Sequence, residues 1–355
     1  MSEAEVLRAY SEHVRRRWTF LLLVIVALII LGAVGITLGS AREIGIPDVV
    51  RGILGQGEEW KVQVIRNIRL PRVLSAIVAG IGLSVSGALM QSILRNPLGS
   101  PFTLGISSAA AFGAAFAVIV LGAGTLQSAS SDAVLIGNPY IVTISAFLWC
   151  LVCTGAILAL SRLRGASAET LVLAGIALGS LFASGLTAME YFADDVELAS
   201  IIFWTFGDLG RSTWRQLAVL TAVVVPISLY FVRNAWNYNA LDSGDETAKS
   251  LGVDVRRTRT VGMILASLAT STVVSFFGII GFVGLVVPHI VRRVIGGNEM
   301  YLIPTACLFG GVFLLASDTV ARTVVSPLVL PVGILTSFLG APLFIYLLVK
   351  GRSYW

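Results

Sequence analysis

The chain has 355 residues, 56% of them hydrophobic and only 13% charged, with a mean hydropathy of +0.88. A soluble domain of this length needs far more charge to keep its surface in water, so lipid is the solvent for most of this surface. The net charge of +5 is small and gathers into no long basic tract, so it reads as membrane orientation rather than nucleic-acid binding.

In chain order, residues 1–17 form a short N-terminal segment ending in Arg15, Arg16 and Arg17. The apolar run that follows, 18–38, is about 21 residues, too long for a signal-peptide core, and is read as an uncleaved first helix. Further stretches of transmembrane length fall at 72–92, 103–122, 140–160, 169–189 and 214–232. The second half adds 260–279, a short piece at 283–295, then 303–321 and 332–349. The piece at 283–295 is too short to span comfortably, and its loosened start at Gly281-Phe-Val-Gly284 needs protein, not lipid, around it. Ten such elements put both termini on one side, with 18–350 as a single transmembrane domain and 351–355 as a tail. The 36 glycines suit helices that pack backbone to backbone.

With the N-terminus inside, sixteen of the 25 Lys and Arg residues fall on the inner side and nine on the outer. Six of the nine crowd into 42–72: Arg42, Arg51, Lys61, Arg66, Arg69 and Arg72. The later outer loops are acidic, with Asp132, Glu190, Asp194, Asp195 and Glu197. The longest inner loop, 233–259, holds a short helix candidate from Asp245 to Leu251, acidic in its first turn and stopped by Gly252. That knob is either a solvated connector or a grip for a motor subunit.

Chemistry-bearing residues are scarce. Cys150 and Cys153 have the spacing of a redox or zinc pair but lie in an uncharged apolar run, which favours plain packing; Cys307 is equally apolar in setting. Gly244-Asp-Glu-Thr-Ala-Lys249-Ser250 lacks the spacing and second glycine of a phosphate-binding loop, so any ATP is bound by another subunit. The ionisable candidates near the membrane, Glu190, Asp318 and His289, fall at or near helix ends, which argues against a gradient-driven transporter. A single histidine within the bundle likewise argues against intramembrane hydrolysis. Small residues recur along 169–189, at Gly175, Gly179, Ser180 and Ser184, and suit either close helix packing or a weakly polar wall along which a bulky solute slides.

Several segments, taken together, resemble the permeases of ABC importers for ferric siderophores, haem and vitamin B12. They are Ile68-Arg69-Leu70-Pro71-Arg72, Arg95-Asn96-Pro97-Leu98-Gly99, Leu173-Ala174-Gly175, Phe203-Trp204-Thr-Phe-Gly207, and Ala248-Lys-Ser-Leu251-Gly252. The C-terminal half adds Gly281-Phe-Val-Gly284-Leu-Val-Val-Pro288-His289, Asp318-Thr-Val-Ala321-Arg322, Pro331-Val-Gly333 and Gly340-Ala-Pro342.

The resemblance implies an all-α membrane protein, a ten-transmembrane-helix bundle of the type II ABC importer permease kind, in the cytoplasmic or inner membrane with both termini cytoplasmic. It implies two ATPase subunits that bind ATP and magnesium, a second permease copy or close paralogue, an extracytoplasmic binding protein, and no cofactor in this chain. It further implies that Arg69, Arg72 and Arg322 meet carboxylates of the binding protein. Asp245, Glu246, Ala248, Leu251 and Gly252 would form the coupling helix, and Ala166, Ser167, Ala168 and Glu169 a cytoplasmic gate. One departure is Val329, where the family commonly has glutamate.

Overall fold

The computed structural model describes residues 3–39, 44–123, 139–164 and 168–350, and the described residues are overwhelmingly helical. In order the helices are α1 (Glu3–Thr37), α2 (Ile46–Leu54), α3 (Glu59–Gln63), α4 (Leu70–Leu94), α5 (Ile106–Ile119), α6 (Pro139–Arg164), α7 (Ala168–Phe192) and α8 (Asp195–Thr205). They continue with α9 (Trp214–Arg233), α10 (Ala235–Asp242), α11 (Asp245–Ser250), α12 (Val255–Phe277), α13 (Val283–Ile295), α14 (Glu299–Thr323) and α15 (Val332–Lys350). Each of the ten stretches read from hydropathy falls on a helix. Among the described residues, seven helical segments are long and apolar enough to cross a membrane, and α5 and most of α15 form shorter apolar helices. The short helices α2, α3, α8 and α10 add to those stretches, and α1 starts at Glu3, within the N-terminal segment 1–17 that precedes the first apolar run. Residues 351–355 lie outside the described residues.

The centre of the bundle is α4, which packs against α9, α12, α13 and α14. Its small residues allow this. A Cβ on Gly80 would strike the Gly310 carbonyl of α14, and one on Gly87 would strike the Gly284 carbonyl of α13. Backbone contact of this kind replaces the hydrophobic driving force that is missing between helices in lipid. Ser84 adds a hydrogen bond across the same seam, its Oγ donating to the Ala306 carbonyl at 2.7 Å.

The periphery is inverted relative to a soluble protein. On α1, Trp18, Leu22, Leu23, Ile29 and Ile30 are each more than half exposed. Exposed Tyr140, Ile144, Leu148 and Val152 make a comparable stripe along α6. Trp18 and Trp236 lie near one end of the bundle, Trp60, Tyr140 and Trp214 near the other, as interfacial aromatic belts do.

Between α12 and α13 the backbone leaves helical geometry, with Gly278 at φ 77° and Phe282 at φ 65°. Protein covers this stretch. Asp208 N donates to the Phe277 carbonyl at 2.8 Å, and Gly333 N donates to the Gly207 carbonyl at 3.0 Å. The loosened backbone is thus shielded from hydrocarbon, as the sequence required.

Candidate docking, pathway and coupling sites

At one end of the bundle the ends of α1, α4 and α14 converge on three arginines. Asp318, wholly buried in α14, takes Arg72 Nη2 at 2.8 Å and Nε at 3.0 Å, and its other oxygen lies 3.0 Å from Arg322 Nε. Asp208 completes the group at 3.5 Å from Arg72. Arg322 Nη1 also donates to the carbonyls of Gly35 and Leu38, at 3.1 and 3.0 Å. Arg69 Nη1 donates to those of Ile36 and Thr37, at 2.8 and 2.7 Å. The last turn of α1, with its unsatisfied carbonyls, is therefore capped by two arginines from other helices.

Arg69, Arg72 and Arg322, expected to meet carboxylates of a binding protein, lie buried beneath this end of the bundle. Their relative exposures are 4%, 9% and 5%, and internal acceptors engage all three. A guanidinium at such depth must be paired where it sits, and Asp318 and the α1 carbonyls supply that pairing.

The four small residues of α7 divide. A Cβ on Gly175 would lie 2.7 Å from Leu104 Cα, and one on Gly179 would lie 3.2 Å from Gly105 Cα, so both glycines press against the turn before α5. For these two positions the close approach favours helix packing, one of the two readings that the small-residue pattern allows. Ser180 and Ser184 are exposed. Helix geometry explains the split: at about 100° per residue, nine positions carry Ser184 to the face opposite Gly175. A separate cleft of about 600 Å³ opens between the 205–206 segment and α15, lined by Phe206, Ile279, Ser337, Phe338 and Pro342. Of the gate expected at 166–169, Ala166 and Ser167 lie outside the described residues, whereas Ala168 and Glu169 begin α7.

At the opposite end lies α11. Ala248 is wholly buried, whereas Glu246, Leu251 and Gly252 are exposed, Leu251 at 54%. Gly252 takes φ 82°, the left-handed turn that ends the helix. Asp245 anchors the element. Its carboxylate accepts Arg259 Nη2 at 3.0 Å and Nη1 at 3.2 Å, and Arg95 lies 3.3 Å away. Arg259 Nε also reaches the Ile93 carbonyl at 3.3 Å, so one side chain brackets α11, α12 and the end of α4. Arg95 itself caps α4 in a left-handed conformation, φ 45°, uncommon outside glycine. Partial burial opposes ionisation of Asp245, but the bond from Arg259 and the charges of Arg259, Arg95 and Lys249 outweigh it and hold its pKa below the ordinary carboxylate value.

Sequence reasoning missed two features, one at this end and one at the other. Glu299, wholly buried at the start of α14, pairs with Arg292 at 2.9 Å, and its backbone N–H donates to Asn239 Oδ1 of α10 at 3.2 Å. Asn298, one residue earlier, caps α14 through Met300 N, a signal the sequence does carry. The acidic run 194–197 was read only as loop charge, yet Asp194 and Glu197 form a reciprocal capping box that starts α8.

Cys150 and Cys153 are buried with their thiols on the carbonyls of Ile106 and Leu104, and His289 packs edge-on against Phe344.

Residues 24–350 match the FecCD transport family. The chain belongs to that family. A FecCD chain is the membrane permease subunit of an ABC importer, which agrees with the helical bundle and the absence of a phosphate-binding loop. A protein of Methanocaldococcus jannaschii named as an ABC transporter permease is 49% identical over 346 residues, 98% of each chain. The hemin transport permease HmuU of Yersinia pestis is 39% identical, over 81% of this chain and 83% of its own. The cobalamin import permease BtuC of Halobacterium salinarum is 37% identical, over 89% and 78%. A solved inward-facing metal-chelate type ABC transporter superposes with a TM-score of 0.81 at 29% identity, covering 94% of this chain and 99% of that one.

Proposed function

We propose that this FecCD permease imports an iron(III)-siderophore or a related metal-organic chelate, with cobalamin or other corrinoids, haem and oxyanions as the alternative cargoes for the same mechanism. Two copies, or one copy and a close paralogue, would sit on two ATPase subunits that bind ATP and magnesium. The observation that carries this reading is α11, a short helix with an exposed apolar tip at Leu251, bolted through Asp245 to two long helices. A force applied at Leu251 would reach α4 and α12 without first bending a loop, which suits a lever driven by ATP closure. The excess of Lys and Arg on the same side supports placing α11 and both termini in the cytoplasm.

At the other face we assign docking to an extracytoplasmic binding protein, with Arg69, Arg72 and Arg322 acting from beneath. They fix the ends of α1, α4 and α14, and exposed Arg51 and Arg66 offer charge above them. The pathway would run along Ser180, Ser184 and the cleft of Phe206, Ser337 and Phe338, surfaces with few groups to hold a bulky solute. Ala166, Ser167, Ala168 and Glu169 remain the proposed inner gate. The permease performs no covalent chemistry.

Affinity purification from native membranes under mild detergent tests the assignment. An ATPase and a binding protein should co-purify, and the chelate carried by the latter names the cargo. Recovery of the chain with neither would overturn it.

A further inference from the structure

At the arginine end, the tips of α6, α9 and α12 leave a cleft of about 270 Å³ that is distinct from the surfaces assigned to transport. Its apolar wall includes Trp204 and Phe276, and Arg211 supplies its one cation among the described residues. Arg211 Nη2 donates to the Phe203 carbonyl at 2.9 Å, closing the C-terminal end of α8. That bond is the bland role of this arginine, and it occupies one of five guanidinium donors. Among the described residues no second acceptor takes the others. Burial lowers the Arg211 pKa and Asp208 only partly offsets it, so an arriving anion would relieve a desolvated charge. Asp208 is committed elsewhere, to Arg72 and to Gly210 N. Gln216, also in the wall, spends its Oε1 on Thr213 N and keeps its Nε2 donors open.

The surroundings choose among anions. Both helices carry exposed apolar side chains onward from the cleft, in the α6 stripe that starts with Tyr140 and Ile144, and at Val219 on α9, one turn after Gln216. A small soluble anion has no use for them, whereas an amphiphile with an anionic head and acyl tails matches the cation and the stripes together. We propose that this cleft binds an anionic phospholipid, its phosphate on Arg211 and Gln216 and an acyl chain along the groove between α6 and α9.

The test compares thermal unfolding of the purified full chain in detergent alone, with added phosphatidylglycerol, with phosphatidylcholine, and with inorganic phosphate. Phosphatidylglycerol should raise Tm by about 3 °C, as a ligand bound only by the native state does, and should stay bound in native mass spectrometry. Arg211→Gln should abolish both effects. Thr143→Trp keeps the arginine and fills the cleft from a partly exposed wall position, and should abolish them too, so the test stands even if Arg211→Gln fails to fold. Equal stabilisation by phosphatidylcholine or by inorganic phosphate would overturn the proposal, as would a phosphatidylglycerol response that survives in Thr143→Trp.

Discussion

Arg259 and Asp245 form a two-bond ion pair, 3.0 and 3.2 Å, across the junction between α11 and α12. Fourteen residues apart in sequence, they make a loop helix behave as part of the bundle. Asp245→Ala removes this pair and the contact with Arg95 at once. Arg259 is buried and loses its carboxylate but keeps the Ile93 carbonyl, and Asp245 itself is partly exposed, so stability should fall by about 2 kcal/mol. Coupling should suffer more: uptake is expected to drop about tenfold while ATP hydrolysis by the assembled complex persists. Equal loss of both activities would place Asp245 outside the coupling route.

The pH dependence of the same contact has a definite sign. A carboxylate whose folded pKa lies below its ordinary value stabilises above that ordinary value and loses the contribution as pH falls through the folded one. The contact should therefore be constant from neutral pH down to about pH 5 and fade only in stronger acid. Tm of the wild type minus Tm of Asp245→Asn, measured across this range, should be flat above pH 5 and shrink below it.

Leu251→Ala should behave oppositely to a core change. The side chain is 54% exposed, so Tm should move by no more than about 1 °C. Association with the ATPase subunit should weaken about tenfold or more, as at a buried interface anchor. Unchanged association would remove Leu251 from the interface.

Asp318→Ala leaves Arg72 and Arg322 buried without their carboxylate and should cost about 3–5 kcal/mol. Folded yield and Tm should fall before any effect on a binding protein can be measured. If the variant folds normally and only docking is lost, the arginines are rim residues after all.

Two glycine substitutions separate close approach from ordinary helix positions. Gly87→Ala places a methyl group against the Gly284 carbonyl and should destabilise by about 2 kcal/mol or more. Gly32→Ala meets nothing within 4 Å and should be neutral or stabilising by up to about 1 kcal/mol. Comparable losses in both, by thermal unfolding, would contradict the packing of α4 on α13.

The long helices were legible because lipid imposes one rule, a run of apolar residues, at every position of a span. What escaped the reading was what a run cannot encode. Arg69, Arg72 and Arg322 carry the same signature whether they face a partner or Asp318, since burial depends on α1 and α14 closing over them. Gly175 and Ser184 share one small-residue pattern and point in opposite directions, because periodicity fixes relative angle but not which face meets a neighbour. Asp245 was legible as a helix start, but its bracket to Arg259 and Ile93 depends on a tertiary arrangement.

Transport by the purified chain in proteoliposomes tests the central claim most directly. Iron-chelate uptake should appear only when the ATPase subunits and the binding protein are present, and it should stop when ATP is replaced by a non-hydrolysable analogue. Uptake by this chain alone, following a proton or sodium gradient, would contradict the account.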